Sequence, residues 1–117
     1  MDGLNKLQSI FKTLSDYNRL LLVKAICDEE YSVGELVKKT NLSQPLVSHH
    51  LKALKKNNIL DTKREGPFIY YFIRDEKILY GIDLFLEIFK NVDIEEVSDF
   101  RFCSVRIMNK FNKMNRS

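Results

Sequence analysis

The chain of 117 residues has little of what marks several protein classes: it contains no tryptophan, two prolines, four glycines and two cysteines. No apolar run reaches the roughly 20 residues of a membrane-spanning helix, and the N-terminus lacks the basic and apolar segments of a secretion signal. Two widely separated cysteines cannot form a dense disulfide framework. We therefore expect a cytoplasmic protein without membrane contact, in which both cysteines are free thiols.

Apolar residues are abundant enough for a compact fold. Hydrophobic residues make up 44% of the chain and aromatic residues 11%. They supply apolar area that offsets the chain entropy lost on folding, so disorder is disfavoured. Because a domain commonly has about 100–200 residues, we predict a single domain over residues 1–117.

The formal net charge of +3 is concentrated in the middle of the chain. Residues 31–74 carry a net charge of +5, whereas residues 1–30 and residues 75–117 each carry −1. A basic block between nearly neutral segments predicts a surface that binds a polyanion, although a solvated basic face would give the same count.

Helical spacing marks both ends of the chain. Apolar residues recur every three or four positions over residues 4–15, and a denser apolar helix follows over residues 18–26. Residues 76–90 form a helix that is too apolar for the surface of a monomer, so it packs in the core or against a second subunit. Residues 100–114 are predicted to form a final amphipathic helix.

The basic block begins with two short helices. Ser32 and Glu35 form a capping box at the start of the first helix. Ser43 is the predicted N-cap of the second, which tolerates Pro45 in its first turn. Two short helices joined by a brief polar break predict a helix-turn-helix over about residues 32–57.

Two β-favouring runs follow at once. Residues 59–64 and 68–73 lie on either side of a Gly-Pro turn and predict a hairpin over about residues 59–73. Near its tip, Lys63 and Arg64 are predicted to contact a flanking phosphate or the adjacent minor groove of DNA. A helix-turn-helix followed by a basic-tipped hairpin is a winged helix, so we predict a mainly α fold with one β-hairpin.

The second helix of the helix-turn-helix has two unlike faces. His50 lies among the apolar residues on the inner side, whereas the adjacent His49 lies on the outer side. The outer face has no carboxylate between Ser43 and Lys56, which suits a helix that enters a DNA major groove. We predict that the helix reads bases with Gln44, Ser48 and His49. We expect Lys52 and Lys55 to bind phosphates of the DNA backbone. Ser43 and Pro45 are expected to complete the DNA contact at the N-terminal end of this helix.

Three motifs lie between about Phe11 and Tyr80. They are Leu14-Ser15-Asp16 with Arg19-Leu20, Leu42-Ser43-Gln44 with Val47-Ser48-His49-His50-Leu51, and Arg64-Glu65-Gly66 through Tyr70-Tyr71. Together they resemble the ArsR/SmtB family of winged-helix transcriptional repressors. The resemblance implies a homodimer that pairs through terminal helices at 4–15 and 76–114, binds a palindromic double-stranded DNA operator, and releases it when an inducer binds. The two half-sites of the operator would lie one helical turn of DNA apart, about 10 bp.

The metal-binding motifs of that family are absent from this sequence. Many members hold thiophilic ions with a Cys-x-Cys pair, and the corresponding positions here are Ser32 and Gly34. Other members bind zinc, cobalt or nickel through Asp and His residues after the wing, yet residues 75–117 contain no histidine. Carboxylates in that segment are more typical of solvated charges than of a cation site. We predict no metal and no cofactor.

Two alternatives to a plain DNA-binding repressor follow from the same residues. Other members of the family respond to oxidants through one cysteine in the second helix and one after the wing, and Cys27 and Cys103 lie in roughly those regions. Cys27 is displaced by about one helical turn, Lys90 lies nearer the second position, and cysteine is often simply a small buried apolar residue. The winged helix could instead bind structured RNA or a protein. No arrangement of residues predicts an enzyme, and neither the effector nor the operator sequence follows from the chain.

Overall fold

The computed structural model of the chain describes residues 2–90 together with Phe102 and Cys103. It divides into two compact units, Met1–Arg74 and Asp75–Ser117. The predicted helix over residues 100–114 falls outside the described residues, apart from Phe102 and Cys103. The elements in chain order are α1 (Gly3–Leu14), α2 (Tyr17–Ile26), β1 (Tyr31–Ser32), α3 (Val33–Thr40), α4 (Gln44–Lys56), β2 (Leu60–Glu65), β3 (Phe68–Ile73) and α5 (Lys77–Ile88).

Side-chain caps fix where the helices of the first unit begin. The predicted capping box is confirmed: the Ser32 hydroxyl accepts from the Glu35 amide at 3.2 Å, and the Glu35 carboxylate accepts from the Ser32 amide at 2.9 Å. Asp16 caps α2 by accepting from the Arg19 amide at 3.1 Å. These bonds satisfy amides that have no partner inside the helix. The helix starts could therefore be predicted from the sequence within about two residues.

The turn between α3 and α4 depends on one left-handed residue. Asn41 has φ 60° and ψ 14°, and its amide donates to the Val37 carbonyl at 2.9 Å. Asparagine tolerates this conformation better than most residues, so it ends α3 and redirects the chain. Ser43 then caps α4, and the predicted helix-turn-helix is confirmed.

The wing belongs to a three-stranded antiparallel sheet with the strand order β1-β3-β2. Leu60 pairs with Ile73 and Glu65 pairs with Phe68, so β2 and β3 form the predicted hairpin. Gly66, at φ +61°, provides the left-handed residue of its turn. β1 pairs Tyr31 with Tyr71 and was not predicted, because a two-residue strand is too short to show an alternating pattern.

The core of the first unit lies between α2, α3, α4 and the base of the hairpin. Its buried side chains are Leu22, Val23, Ile26, Leu36, Val47, Leu51, Leu54, Ile59 and Leu60. A helix as densely apolar as α2 is expected to lie in the core on nearly every side. Leu22 and Val23 are buried, but Leu20 and Leu21 are only half-buried. The core thus holds the inner face of α4 and leaves its other face exposed.

The second unit is described mainly by α5. Leu79 is buried, whereas Leu84, Phe85 and Ile88 are each more than half exposed. The Phe102 amide donates to the Asp83 carboxylate at 2.8 Å. Among the residues that the structure describes, no helix is long and apolar enough to cross a membrane.

The expectation of free thiols is wrong. Cys27 and Cys103 are both disulfide-bonded, and Cys103 is buried. Cys27 is the C-cap residue of α2 and is half-buried. The expectation relied on the number and spacing of cysteines along the chain, which do not report the distance between sulfur atoms in a fold.

Candidate nucleic-acid interface

The exposed face of α4 carries polar and basic side chains over its whole length. Val47, His50, Leu51 and Leu54 are buried beneath it, which confirms the predicted division of the two histidines between faces. The exposed residues of the helix are Gln44, Pro45, Ser48, His49, Lys52, Lys55 and Lys56. This face contains no carboxylate and therefore does not repel phosphate.

The N-terminal end of α4 is suited to a phosphate oxygen. The Ser43 hydroxyl accepts from the Leu46 amide at 3.4 Å, and Pro45 occupies the first turn without an N–H of its own. No acidic residue lies in that turn. The positive end of the helix dipole thus remains uncompensated at an exposed position.

The lysines of α4 differ in how freely they can bind a ligand. The Lys55 ammonium donates to the Thr62 hydroxyl at 3.0 Å, so it connects α4 with the first strand of the wing. Lys52 is exposed and has no ion pair among the residues that the structure describes. Lys56 is likewise exposed and has no ion pair in that part of the chain, so Lys52 and Lys56 are the cations of this face that a phosphate could most readily engage.

The two basic residues of the wing have different surroundings. Lys63 forms ion pairs with Glu30 and Glu65, and these hydrogen bonds raise the pKa of Lys63. Arg64 is exposed and lies opposite Ile69 in the hairpin. Since two carboxylates offset the charge of Lys63, Arg64 is the stronger candidate for a phosphate or groove contact.

A polar network that the sequence analysis did not predict lies beneath α4. The Arg19 Nε donates to the His50 Nδ1 at 3.0 Å, and the Arg19 Nη1 donates to the Thr13 carbonyl at 3.4 Å. The His50 Nε2 lies 3.9 Å from the Asp16 Oδ1. Burial lowers the pKa of His50, and the Asp16 charge opposes that effect. The available signal was a histidine at an inward position of α4 together with the Asp16 and Arg19 of the α2 motif.

Similarity to known proteins lies in the part of the chain that forms this site. The sequence model of the bacterial regulatory proteins of the arsR family matches residues 16–62, which include α2, the helix-turn-helix and the start of the wing. A biofilm growth-associated repressor from Agrobacterium fabrum is 36% identical over 80 residues, which is 68% of each chain. The chain belongs to the arsR family. The family and this relative are regulators rather than enzymes.

Two further comparisons concern a cadmium regulator and a solved winged-helix structure. The cadmium resistance transcriptional regulatory protein CadC of Listeria innocua is 41% identical over 75 residues, or 63% of each chain. The match thus spans less than two thirds of that relative. A homodimeric winged helix-turn-helix DNA-binding domain from Mycobacterium bovis superimposes with a TM-score of 0.71 at 22% identity, covering 80% of this chain and 86% of its own. The winged-helix fold is confirmed.

The structure also bears on metal binding. Within residues 2–90, Phe102 and Cys103, no group of three or more His, Cys, Asp or Glu side chains is arranged to hold a metal ion. Ser32 and Gly34, which stand where many family members have Cys-x-Cys, begin α3 and carry no thiolate. Neither position therefore offers a thiolate ligand for a soft metal ion.

Proposed function

We propose that the chain is a transcriptional repressor that binds double-stranded operator DNA through α4 and the wing. The observation that carries this proposal is the exposed, carboxylate-free face of α4, held on a winged-helix core. An exposed helix of this composition fits the width and negative charge of the major groove. Membership in a family of regulators supports the same function.

The proposal divides the exposed residues by chemistry. Gln44, Ser48 and His49 have short polar groups that reach base edges, so they carry sequence preference. Lys52 and Lys55 hold phosphates, and Ser43 and Pro45 place the N-terminus of α4 against the backbone. In the wing, Arg64 makes the main contact and Lys63 contributes less, because Glu30 and Glu65 already pair with it.

A homodimer would present this surface twice. Leu4 is 78% exposed on α1 and Leu84 is 60% exposed on α5, and large apolar side chains exposed in this way on a small protein mark an interface. We propose that a second copy of the chain covers these helices. Two-fold symmetry then predicts a palindromic operator with half-sites about 10 bp apart.

The test is a titration of the protein with a fluorescent duplex from upstream of its own gene, in excess non-specific DNA. We expect a specific complex whose affinity falls as salt rises. A duplex of the same composition in scrambled order is the control. Equal binding to both duplexes would contradict operator recognition. Binding to structured RNA or to a protein, without a specific DNA complex, would favour the other two partners that a basic winged helix permits.

A second candidate, a thiol-responsive repressor, is favoured by the state of the cysteines. We propose that Cys27 and Cys103 pair reversibly and that pairing alters DNA binding. Neither is a free thiol in the structure. In forming the bond, two thiols would release two protons and pass two electrons to an oxidant such as a peroxide or polysulfide.

Thiol counting under reducing and oxidising conditions tests this second candidate. We expect two alkylatable thiols after reduction, none after oxidation, and a change in DNA affinity between the two states. The variants Cys27→Ser and Cys103→Ser should each lose that change. If oxidised protein retains two alkylatable thiols and an unchanged affinity, the redox hypothesis is wrong, while the DNA-binding proposal is unaffected.

A further inference from the structure

A partly buried contact joins the recognition helix α4 to α2 beneath the proposed DNA-facing surface. The Arg19 Nε donates to the His50 Nδ1 at 3.0 Å, although the two residues are 31 positions apart in the chain. His50 is only 5% exposed and lies on the inner face of α4. The contact therefore links the position of α4 to that of α2 through a buried histidine and a half-buried arginine.

The hydrogen bond fixes the protonation state of the histidine. Arg19 can only donate, so the Nδ1 that accepts its proton must carry none. His50 is then a neutral imidazole with its hydrogen on Nε2. That atom lies 3.9 Å from the Asp16 Oδ1, within reach of an ion pair but beyond a hydrogen bond.

The other two members of the network are held by backbone bonds. Asp16 is the N-cap of α2 and accepts from the Arg19 amide at 3.1 Å. The Arg19 guanidinium also donates to the Thr13 carbonyl at 3.4 Å. His50 thus meets a guanidinium and a carboxylate whose positions are set by α1 and α2 rather than by α4.

A second proton on His50 would break this arrangement. Both ring nitrogens would then be donors, so the Arg19 Nε–H would face another N–H and the bond would be lost. The groups facing the ring are the Arg19 guanidinium and His49, which repel a positive charge, and the Asp16 carboxylate, which attracts it. Protonation would pull His50 from Arg19 toward Asp16.

We propose that Arg19 is a positioning residue for DNA binding and that it holds α4 in its DNA-binding position through neutral His50. Protonation of His50 would release α4 from that position and weaken operator binding. The proposal rests on the proposed function, because operator affinity is its functional readout. Arg19 touches no DNA in this scheme. It acts through His50 on the residues that do.

The direction of the pH dependence follows from burial. Burial, with the Arg19 and His49 charges, lowers the pKa of His50 against the opposing effect of Asp16. A histidine whose pKa is lowered in the folded state contributes stability above its ordinary value of about 6.5, and that stability is lost as the pH falls through the lowered folded-state value. His49 is a second imidazole on the exposed face of α4, so the test of His50 removes it.

The experiment therefore uses His49→Gln as its background and His49→Gln/His50→Asn as the matched variant. Asparagine brings an amide oxygen near the place of Nδ1 and cannot titrate. Operator affinity is measured at constant salt from about pH 7.5 down past the ordinary histidine pKa of about 6.5, to the lowest pH at which the protein stays folded, because the pKa of His50 lies below the ordinary value. We expect affinity in the background to fall roughly tenfold toward acid, the order expected for loss of a hydrogen bond to a charged group, and the matched variant to show no fall. Equal pH dependence in the two proteins would overturn the proposal.

A second measurement requires no substitution at His50. Nitrogen-15 NMR of the histidine rings in the unsubstituted protein reports the tautomer and the titration of each ring. We expect His50 to carry its hydrogen on Nε2 and to titrate below the ordinary histidine value. Hydrogen on Nδ1, or titration at the ordinary value, would overturn the proposal. Absence of a specific DNA complex at neutral pH would instead count against the proposed function, so the two failures are distinguishable.

Discussion

His49 and His50 are neighbours in the chain with opposite surroundings. His49 is exposed on the polar face of α4, and His50 is buried against Arg19. Helical spacing alone predicted this division, since consecutive residues lie about 100° apart around a helix. The partner of His50 could not be predicted, because a contact across 31 positions depends on how α2 and α4 pack.

Lys52 and Lys63 offer a direct comparison of two cations that the sequence analysis treated alike. Lys52→Gln is expected to weaken binding almost uniformly across DNA sequences and to reduce the salt slope by about one, because one phosphate contact is lost. Lys63→Gln is expected to reduce the slope by less, since Glu30 and Glu65 already offset its charge. Anisotropy titrations at several salt concentrations give both slopes. An unchanged slope for Lys52→Gln would refute its assignment.

Gln44 and His49 should affect specificity rather than general affinity. Replacing either with alanine removes a group that reaches base edges, so we expect the preference for the operator over a mismatched duplex to fall by an amount equivalent to about 1–3 kcal/mol. Competition titrations with single-mismatch duplexes measure this preference. Lys52→Gln is the matched control, because it should weaken both duplexes alike. A preserved mismatch penalty would mean that neither side chain reads a base.

Among the elements, those with a local signal were the most predictable. The capping box at Ser32, the N-cap at Ser43 and the Gly66 turn of the hairpin each depend on a few consecutive residues, and the structure has all three. β1 was missed because its partner is β3, a strand that begins about 40 positions later in the chain, and two residues carry too little pattern. Exposed residues of the site could be predicted, whereas their ion pairs could not.

The start of α3 provides a stability test. Ser32→Ala removes the cap of the Glu35 amide and should lower the free energy of unfolding by about 1 kcal/mol. The Ser32 backbone amide, which alanine keeps, and the Ser32 hydroxyl both lower the pKa of Glu35. The hydroxyl's contribution is present above the ordinary glutamate value and is lost as the pH falls through the folded-state value, and only this contribution is missing from Ser32→Ala. Urea unfolding of the unsubstituted protein and of Ser32→Ala, at neutral and at acid pH, measures this effect. The difference in their free energies of unfolding should be smaller in acid. Ser48→Ala, inside α4 and not a cap, serves as control and should cost nothing.

For the whole molecule, the exposed apolar residues of α1 and α5 predict how copies associate. Leu84→Glu places a charge on a side chain that is 60% exposed on α5, so we expect it to shift dimers toward monomers and to weaken binding to a two-half-site operator. Sedimentation and titration with full and half operators measure these effects. Tyr17→Glu is the matched control, since Tyr17 is 76% exposed on α2, which is not one of the two helices proposed to pair. If both variants remain dimeric, α5 does not form the interface.

The hydrogen bond from Lys55 to Thr62 has a consequence for the way this surface can change. One lysine near the end of the reading helix is anchored on the first strand of the wing, so a change in the wing reaches the helix directly. A chimaera that receives the hairpin of a relative would lose this anchor unless position 62 keeps a hydroxyl acceptor. Operator preference in such hybrids should therefore depend on positions 55 and 62 as a pair. Exchanging one alone should give a protein in which the hydrogen bond no longer fixes α4 relative to the wing.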